Sequence, residues 1–289
     1  MERTLRPLPA AHVKQAARLT AAAFLHSPSY CFIFEGLTEA ARFDALAWLF
    51  EKNFELRLGV VGAARCAFDD DDDPSAGEHG RLICSFLLEP PDAPPVSAWA
   101  MVRAGILSLP VRYGARALVR LLAVKAAYES RERALLCGGD GGCDRARYCS
   151  LERMVVDPAC QGRGVGRACL GAALLECESR GLGVFLSTQE PQNVRFYRRL
   201  GFEVLVEEPA SFSAKVTNWF MVKRPPLRPP SSAEGGVVST TAARSDSEPA
   251  SRRSLLRYLP AQRVPLVVGL LSTAVWFVVL QRRRGAGRK

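Results

Sequence analysis

The stretch Met154-Val155-Val156-Asp157-Pro158-Ala159-Cys160-Gln161-Gly162-Arg163-Gly164-Val165-Gly166 decides how this 289-residue chain is read. Its apolar start continues a run that begins at Tyr148, so Tyr148 to Val156 reads as a strand. Asp157-Pro158 ends that strand. Glycines at 162, 164 and 166 then let backbone N–H groups converge without Cβ obstruction, and an Ala/Leu-rich helix from Gly164 to Arg180 puts the positive end of its dipole at the same place. Together they form an anion site suited to a pyrophosphate. Two commoner glycine loops do not fit: a dinucleotide fingerprint needs a glycine where Arg167 stands, and a P-loop needs Gly-Lys-Ser/Thr.

Downstream, Gly183 to Ser187 reads as a buried strand, Gln192 to Leu200 as a short helix, and Phe202 to Val206 and Val216 to Val222 as closing strands. Strand, helix, strand, helix, strand signals an α/β unit with two parallel strands joined by the long helix. Upstream, Thr4 to Pro7 reads as a short strand and Ala10 to Phe24 as an Ala-rich helix. A second helix is capped by Thr38 and runs to Leu56 or Leu58. Arg65 to Phe68 and Leu82 to Leu88 read as strands, with the acidic run Asp69 to Asp73 between them. Ala98 to Leu109 and Ala115 to Arg133 read as helices. The acidic run is read as a solvated loop.

The spacing Gln161-x-x-Gly164-x-Gly166 resembles the acetyl-CoA loop of the GCN5-related N-acetyltransferases (GNAT). A second motif follows 27 residues beyond Gly166: Asn193-Val194-Arg195-Phe196-Tyr197-Arg198-Arg199-Leu200-Gly201-Phe202 resembles that family's Asn-x-x-x-Tyr-x-x-x-Gly-Phe signature. The resemblance covers Thr4 to Lys223; it is sharp over 148–206 and loose before that. It implies an α/β (α+β) acyl-CoA N-acyltransferase fold, a twisted mixed sheet with helices on both faces and two central parallel strands that splay apart. It also implies that the pantetheine arm of acetyl-CoA lies in that gap. Residues Met154, Val155 and Val156 would then line the arm, with the backbone of Met154 and Val156 pairing with it as an added strand. The loop Gln161, Gly162, Arg163, Gly164, Val165, Gly166 would hold the pyrophosphate. Asn193 matches the position that hydrogen-bonds the arm, its alternative role being a helix N-cap.

Direct transfer to an amine needs an unprotonated nucleophile, a donor for the oxyanion and a proton for the leaving thiolate. Tyr197 matches the family tyrosine that faces the sulfur; the alternative is packing against the arm. Glu152 is the candidate base, because strand alternation puts Glu152, Met154 and Val156 on one face. Its alternative is a surface carboxylate paired with Arg153 or Arg147. No metal is expected.

The net charge of +10 resides almost wholly in the tail: residues 224–289 carry 12 basic and 3 acidic residues. The rest is nearly neutral, which argues against nucleic acid as a partner. Nine cysteines without a CxxC pair, and three histidines at no zinc-like spacing, read as reduced thiols in a cytosol-facing protein. The N-terminus shows no apolar signal-peptide core. The expected organisation is a catalytic domain over 1–223, a disordered Pro/Ser/Arg-rich linker over 224–258 and a membrane anchor over 259–289, with its helix at about 264–281. Val264 to Leu280 holds 17 residues without a charge, near the short limit for a membrane span. Arg282-Arg283-Arg284 follows, and the pattern resembles tail anchors of the mitochondrial outer membrane or peroxisome, with the domain facing the cytosol.

Three functions of different class follow: an N-acetyltransferase acting on an amine-bearing small molecule or protein, a degenerate acyl-CoA-binding module, and a membrane-tethered scaffold.

Overall fold

The computed structural model describes residues 4–69, 80–137 and 145–226, all within one compact unit, Met1–Leu227. The expected linker from 227 on, the membrane helix at 264–281 and Asp70 to Asp73 of the acidic run lie outside the described residues. Among the described residues no helix is long and apolar enough to cross a membrane.

Seven strands and eight α-helices follow one another along the described chain. They are β1 (Arg6–Pro7), α1 (Val13–Phe24), α2 (Pro28–Ile33), α3 (Glu39–Arg57), β2 (Ala64–Asp69), β3 (Arg81–Glu89), α4 (Ala98–Arg103), α5 (Leu109–Tyr113), α6 (Ala115–Cys137), β4 (Tyr148–Val156), α7 (Val165–Ser179), β5 (Gly183–Thr188), α8 (Pro191–Arg198), β6 (Glu203–Ala210) and β7 (Ser213–Lys223). The strands form one mixed sheet in the order β1-β2-β3-β4-β5-β7-β6. β4 and β5 pair in parallel and the other neighbours are antiparallel. Pro7 and Pro209 lie in the two edge strands, where a missing ladder donor costs least.

Local chemistry places several boundaries as the sequence predicts. The Thr38 hydroxyl accepts from the Ala41 N–H and starts α3. Two stretches differ. The predicted helix over 98–109 stops at Arg103, because Gly105 takes a left-handed φ of 80° and turns the chain into a short 3-10 segment before α5. Residues 28–33, between the first two predicted helices, form α2, with Pro28 in the first helical turn.

Each face of the sheet carries its own core. On one face Cys149 and Leu151 of β4, Val184 and Leu186 of β5, and Met221 of β7 pack against Cys169, Leu170, Ala173 and Cys177 of α7 and against Val194 and Tyr197 of α8. On the other, Tyr148, Phe185, Phe220 and Val222 pack against Leu136 of α6, with Tyr128 beside them. The described cysteines are free thiols. The Cys177 thiol donates to the Cys149 sulfur at 3.7 Å across the α7–β4 contact.

The β4–β5 junction is held closed at its base by a glycine. A Cβ on Gly183 would lie 2.6 Å from the Lys223 carbonyl oxygen of β7 and 2.6 Å from Cε1 of Tyr148. Backbone on one side and a buried ring on the other cannot both yield. Gly183→Ala is therefore expected to destabilise the fold by about 1–3 kcal/mol, the usual scale of overpacking. The check is the midpoint of a urea transition; a midpoint equal to wild type would show that the junction can relax.

Candidate active site

β4 and β5 pair only over Tyr148↔Gly183, Cys149↔Val184 and Ser150↔Phe185. Beyond Ser150 they part, and β4 continues with β3 alone on its other side. The Asp157 N–H donates to the Ile83 carbonyl at 2.8 Å, and Ser85 stands opposite Val155. By the alternation of an antiparallel ladder, Val155 turns its backbone groups to β3 while Met154 and Val156 turn theirs to the gap. The N–H and C=O of Val155 belong to the β3 ladder. The Val156 carbonyl accepts from Gln161 Nε2 at 3.1 Å, which ties the following loop back to the strand.

That loop is fixed by local constraints. Asp157 accepts from the Ala159 N–H at 2.9 Å and pairs with Arg81 at 2.7 Å. Gly162 and Gly164 hold φ of 74° and 79°, and nothing lies within 4 Å of where their Cβ atoms would be. Gly164 is the N-cap of α7, so the N–H groups of Val165, Gly166 and Arg167 have no acceptor inside the helix. Gly166 serves a different need. A Cβ there would sit 3.1 Å from Val156 Cγ2, 3.5 Å from Met154 Cε and 3.5 Å from Phe196 Cζ, so its bare backbone lets α7 start directly over the end of β4. Gln161, Arg163 and both left-handed glycines are exposed.

Asn193 and Tyr197 come from α8, beside the open end of β5. Asn193 Nδ2 donates to Thr188 Oγ1 at 3.2 Å, at the last residue of β5. Asn193 is not a helix N-cap: that position is Glu190, and Asn193 lies within the first turn. Tyr197 is buried, with Phe196 and Phe202 edge-on to it at 5.2 and 5.5 Å. Burial pushes its phenol well above the ordinary tyrosine range, so it is a neutral proton carrier.

Glu152 does not share a face with Met154 and Val156. Arg153 has φ 55°, the only positive φ outside glycine among the described residues. The β3 register passes from Leu87↔Glu152 to Ser85↔Val155, so Arg153 and Met154 together oppose Phe86. This β-bulge shifts the alternation by one. Met154 and Val156 pack on the α7 face, whereas Glu152 and Arg153 turn to the α2, α3 and α6 face. Glu152 pairs with Arg153, the partner its surface alternative named, and Arg147 is not that partner. Glu152 keeps 43% of its side chain open, as that alternative had it, and desolvation pulls against the charges around it. The sum of Arg153, Lys125 and Arg57 still outweighs burial and holds its carboxyl below the usual range.

Several residues of this region escaped sequence reading. Glu89, at the end of β3, is held above the usual carboxylate range by burial and by Glu152, against the opposing pull of Arg57. Tyr30 of α2 stacks edge-on with Phe50 at 5.3 Å and faces Arg153. Gln189 accepts from the Ser29 N–H at 3.2 Å and donates to the Tyr128 hydroxyl, joining α2 and α6 to the end of β5. The bulge did leave a trace. Two consecutive charged residues, Glu152-Arg153, interrupt a strand that carries no other charge. Among the described residues no group of His, Cys, Asp and Glu is placed to hold a metal ion.

Residues 114–204 match a family model described as an acetyltransferase (GNAT) domain. Among solved structures, one from Corynebacterium glutamicum, titled a histone acetyltransferase and related acetyltransferase, aligns with a TM-score of 0.53 at 18% identity over 79% of this chain and 99% of that one. At that identity the likeness shows the fold. An acetyltransferase of Salmonella typhimurium, described with its cofactor acetyl-CoA, aligns at 16% identity over 81% of this chain and 99% of that one, with a TM-score of 0.43. A phosphinothricin acetyltransferase of Sinorhizobium meliloti, in complex with acetyl-CoA, aligns at 14% identity over 80% and 95%, also with a TM-score of 0.43.

The environment of Tyr197 has a measurable consequence. An unfolded tyrosine ionises near pH 10. A folded phenol whose pKa lies higher contributes stability that is complete below about pH 10 and is lost as pH rises beyond it. In an absorbance titration at 295 nm, Tyr197→Phe is expected to leave the tyrosinate signal developing up to about pH 10.5 unchanged. A loss of amplitude in that range would place the phenol in contact with water.

Proposed function

We propose that this chain, whose residues 114–204 match the model of a GNAT acetyltransferase domain, moves an acetyl group from acetyl-CoA to an amine by direct attack in a ternary complex. One observation carries the reading. β4 parts from β5 after Ser150 beside a loop and helix start whose N–H groups are free to meet an anion. The fit is physical. The Met154 and Val156 backbone offers an extended edge for the amide groups of a pantetheine arm. Gly162 and Gly164 leave room for phosphate oxygens, and Val165 to Arg167 supply donors at a helix N-terminus. Asn193 is held by Thr188 at the open end of β5 and would bond the arm through its side-chain carbonyl oxygen.

The roles of the side chains follow from the two faces. The acceptor enters from the α2, α3 and α6 side, where the ionised Glu152 attracts its ammonium and takes a proton directly or through water. The amine nitrogen then bonds to the thioester carbonyl carbon; as the tetrahedral intermediate collapses, the nitrogen gives its second proton to water and the carbon–sulfur bond breaks. Tyr197, on the α7 and α8 side, gives its proton to the departing thiolate and regains one from solvent. Base and acid thus act from opposite faces of the sheet through the gap. The competing readings, a binding module without turnover and a scaffold, differ in what they retain. The test is thiol release from acetyl-CoA with a panel of amines. Amine-dependent release is expected. Binding without release would favour the module, and no binding would favour the scaffold. Gly164→Asp puts a carboxylate among the donors in open space, in a conformation that Asp tolerates, and is expected to abolish acetyl-CoA binding in a calorimetric titration while the protein stays folded. Tyr197→Phe is expected to lower turnover roughly 10²–10⁴-fold with binding nearly unchanged.

We also propose that Val264 to Leu280 anchors the chain in a membrane as a single-pass tail with residues 1–223 facing the cytosol, at the mitochondrial outer membrane or the peroxisome. The sequence supports this. Seventeen uncharged residues give about 25 Å of helix, and Arg263 and Arg282 extend the span by reaching to the headgroups. Carbonate extraction is expected to leave the full chain in the membrane and to release a 1–258 truncation. Release of the full chain would remove the anchor.

A further inference from the structure

Arg153 combines three features found together nowhere else among the described residues. It is the only non-glycine residue with a left-handed φ, 55°. Its guanidinium lies in the acceptor face of the sheet, pairs with Glu152 and sits 5.8 Å from the Phe50 ring centroid. Its Nε is buried with no acceptor. A strained backbone and an unmet donor are both unfavourable, and a β-strand has no structural need of an arginine there. The bulge itself would be better served by glycine. What Arg153 supplies is charge. The bulge turns Glu152 and Arg153 to the same face, so the guanidinium is a fixed neighbour of the carboxylate rather than an alternating outward residue.

We propose that Arg153 is a positioning residue: it holds the Glu152 carboxylate in its ionised form and in one orientation toward the acceptor amine. This inference rests on the proposed acetyl transfer. The surroundings of Glu152 make such a device necessary. Glu152 is flanked by groups from α2, α3, α6 and β3, and 43% of its side chain is open. The groups facing it are Tyr30 from α2, Arg57 from α3, Lys125 from α6, and Glu89 from β3, besides Arg153 itself. Two of these distant cations are already committed elsewhere: Arg57 pairs with Glu89 at 2.6 Å, and Lys125 pairs with Glu129. Burial and the Glu89 charge both favour a protonated Glu152. Without Arg153 the carboxyl titrates at higher pH, so less of Glu152 is in the ionised form that attracts an ammonium and accepts a proton.

Two substitutions separate charge from backbone. Arg153→Gly removes the charge and suits φ 55°, so the bulge is retained. Arg153→Lys keeps a cation and leaves the backbone under the same strain. In the full chain, the acid limb of the kcat/KM profile for acetyl transfer to the best amine is expected to move up by about one pH unit in Arg153→Gly and to return most of the way in Arg153→Lys. Carboxyl carbon NMR, assigned with Glu152→Gln, is expected to show Glu152 itself titrating at higher pH in Arg153→Gly, a readout that needs no turnover. An unmoved Glu152 titration would overturn the proposal even if the chain is an acetyltransferase. Equal shifts in both variants would assign the effect to the backbone and overturn it too. A shifted Glu152 titration with an unmoved kcat/KM limb would overturn the link to the acceptor. Absence of any amine-dependent thiol release in wild type would instead sink the acetyl-transfer reading, whatever the NMR shows.

Discussion

β4 bonds to β3 from Ser150 to Val156 and to β5 only from Tyr148 to Ser150. Every other feature of the candidate site depends on that unequal pairing. Backbone donors and acceptors buried inside a sheet are almost always satisfied by a neighbouring strand. Where β4 leaves β5, the groups of Met154 and Val156 face a gap, and the Val156 carbonyl is met by a side chain, Gln161, instead. An interior strand with an open edge is a liability in a folded protein. It becomes useful when an extended ligand supplies the missing partner.

The bulge at Arg153 gives the gap its two-sidedness. Without it, Glu152, Met154 and Val156 would lie on one face, and carboxylate, loop and α8 would crowd the same side of the sheet. With it, the α7 face keeps the apolar contacts of Met154 and Val156 with Gly166 and Phe196, while the opposite face receives Glu152 and Arg153. One residue in the left-handed region thus separates a region suited to a long, phosphate-bearing ligand from one suited to a small charged group. The helices keep the same division. α7 and α8 supply the glycine loop, Asn193 and Tyr197, while α2, α3 and α6 supply Tyr30, Arg57 and Lys125.

The elements on the α2, α3 and α6 face are joined by specific contacts. Gln189 links α2 to α6 at the end of β5. Phe32 of α2 stacks at 5.1 Å on Phe212, in the turn between β6 and β7, and Arg120 of α6 lies over Phe32 at 4.8 Å. These elements come from segments 28–33, 115–137 and 203–223, distant in sequence and brought together by the sheet order.

The glycine loop and the Asn193–Tyr197 motif were legible in the sequence because their chemistry is local. Left-handed glycines, a helix N-cap and a Pro-started helix are each determined within a few residues, so Gly162, Gly164 and Tyr197 stand where spacing alone puts them. Strand and helix types were legible for the same reason, wherever the hydrophobic period was strong. The facing of Glu152 and the cap at Glu190 were not. Each depends on which strand or helix end lies alongside, and a one-residue bulge reverses a period-two pattern without changing composition. The enclosure of Glu152 by Tyr30, Arg57, Glu89 and Lys125 was likewise decided by tertiary structure, because the charges that set its ionisation belong to four other elements of the chain.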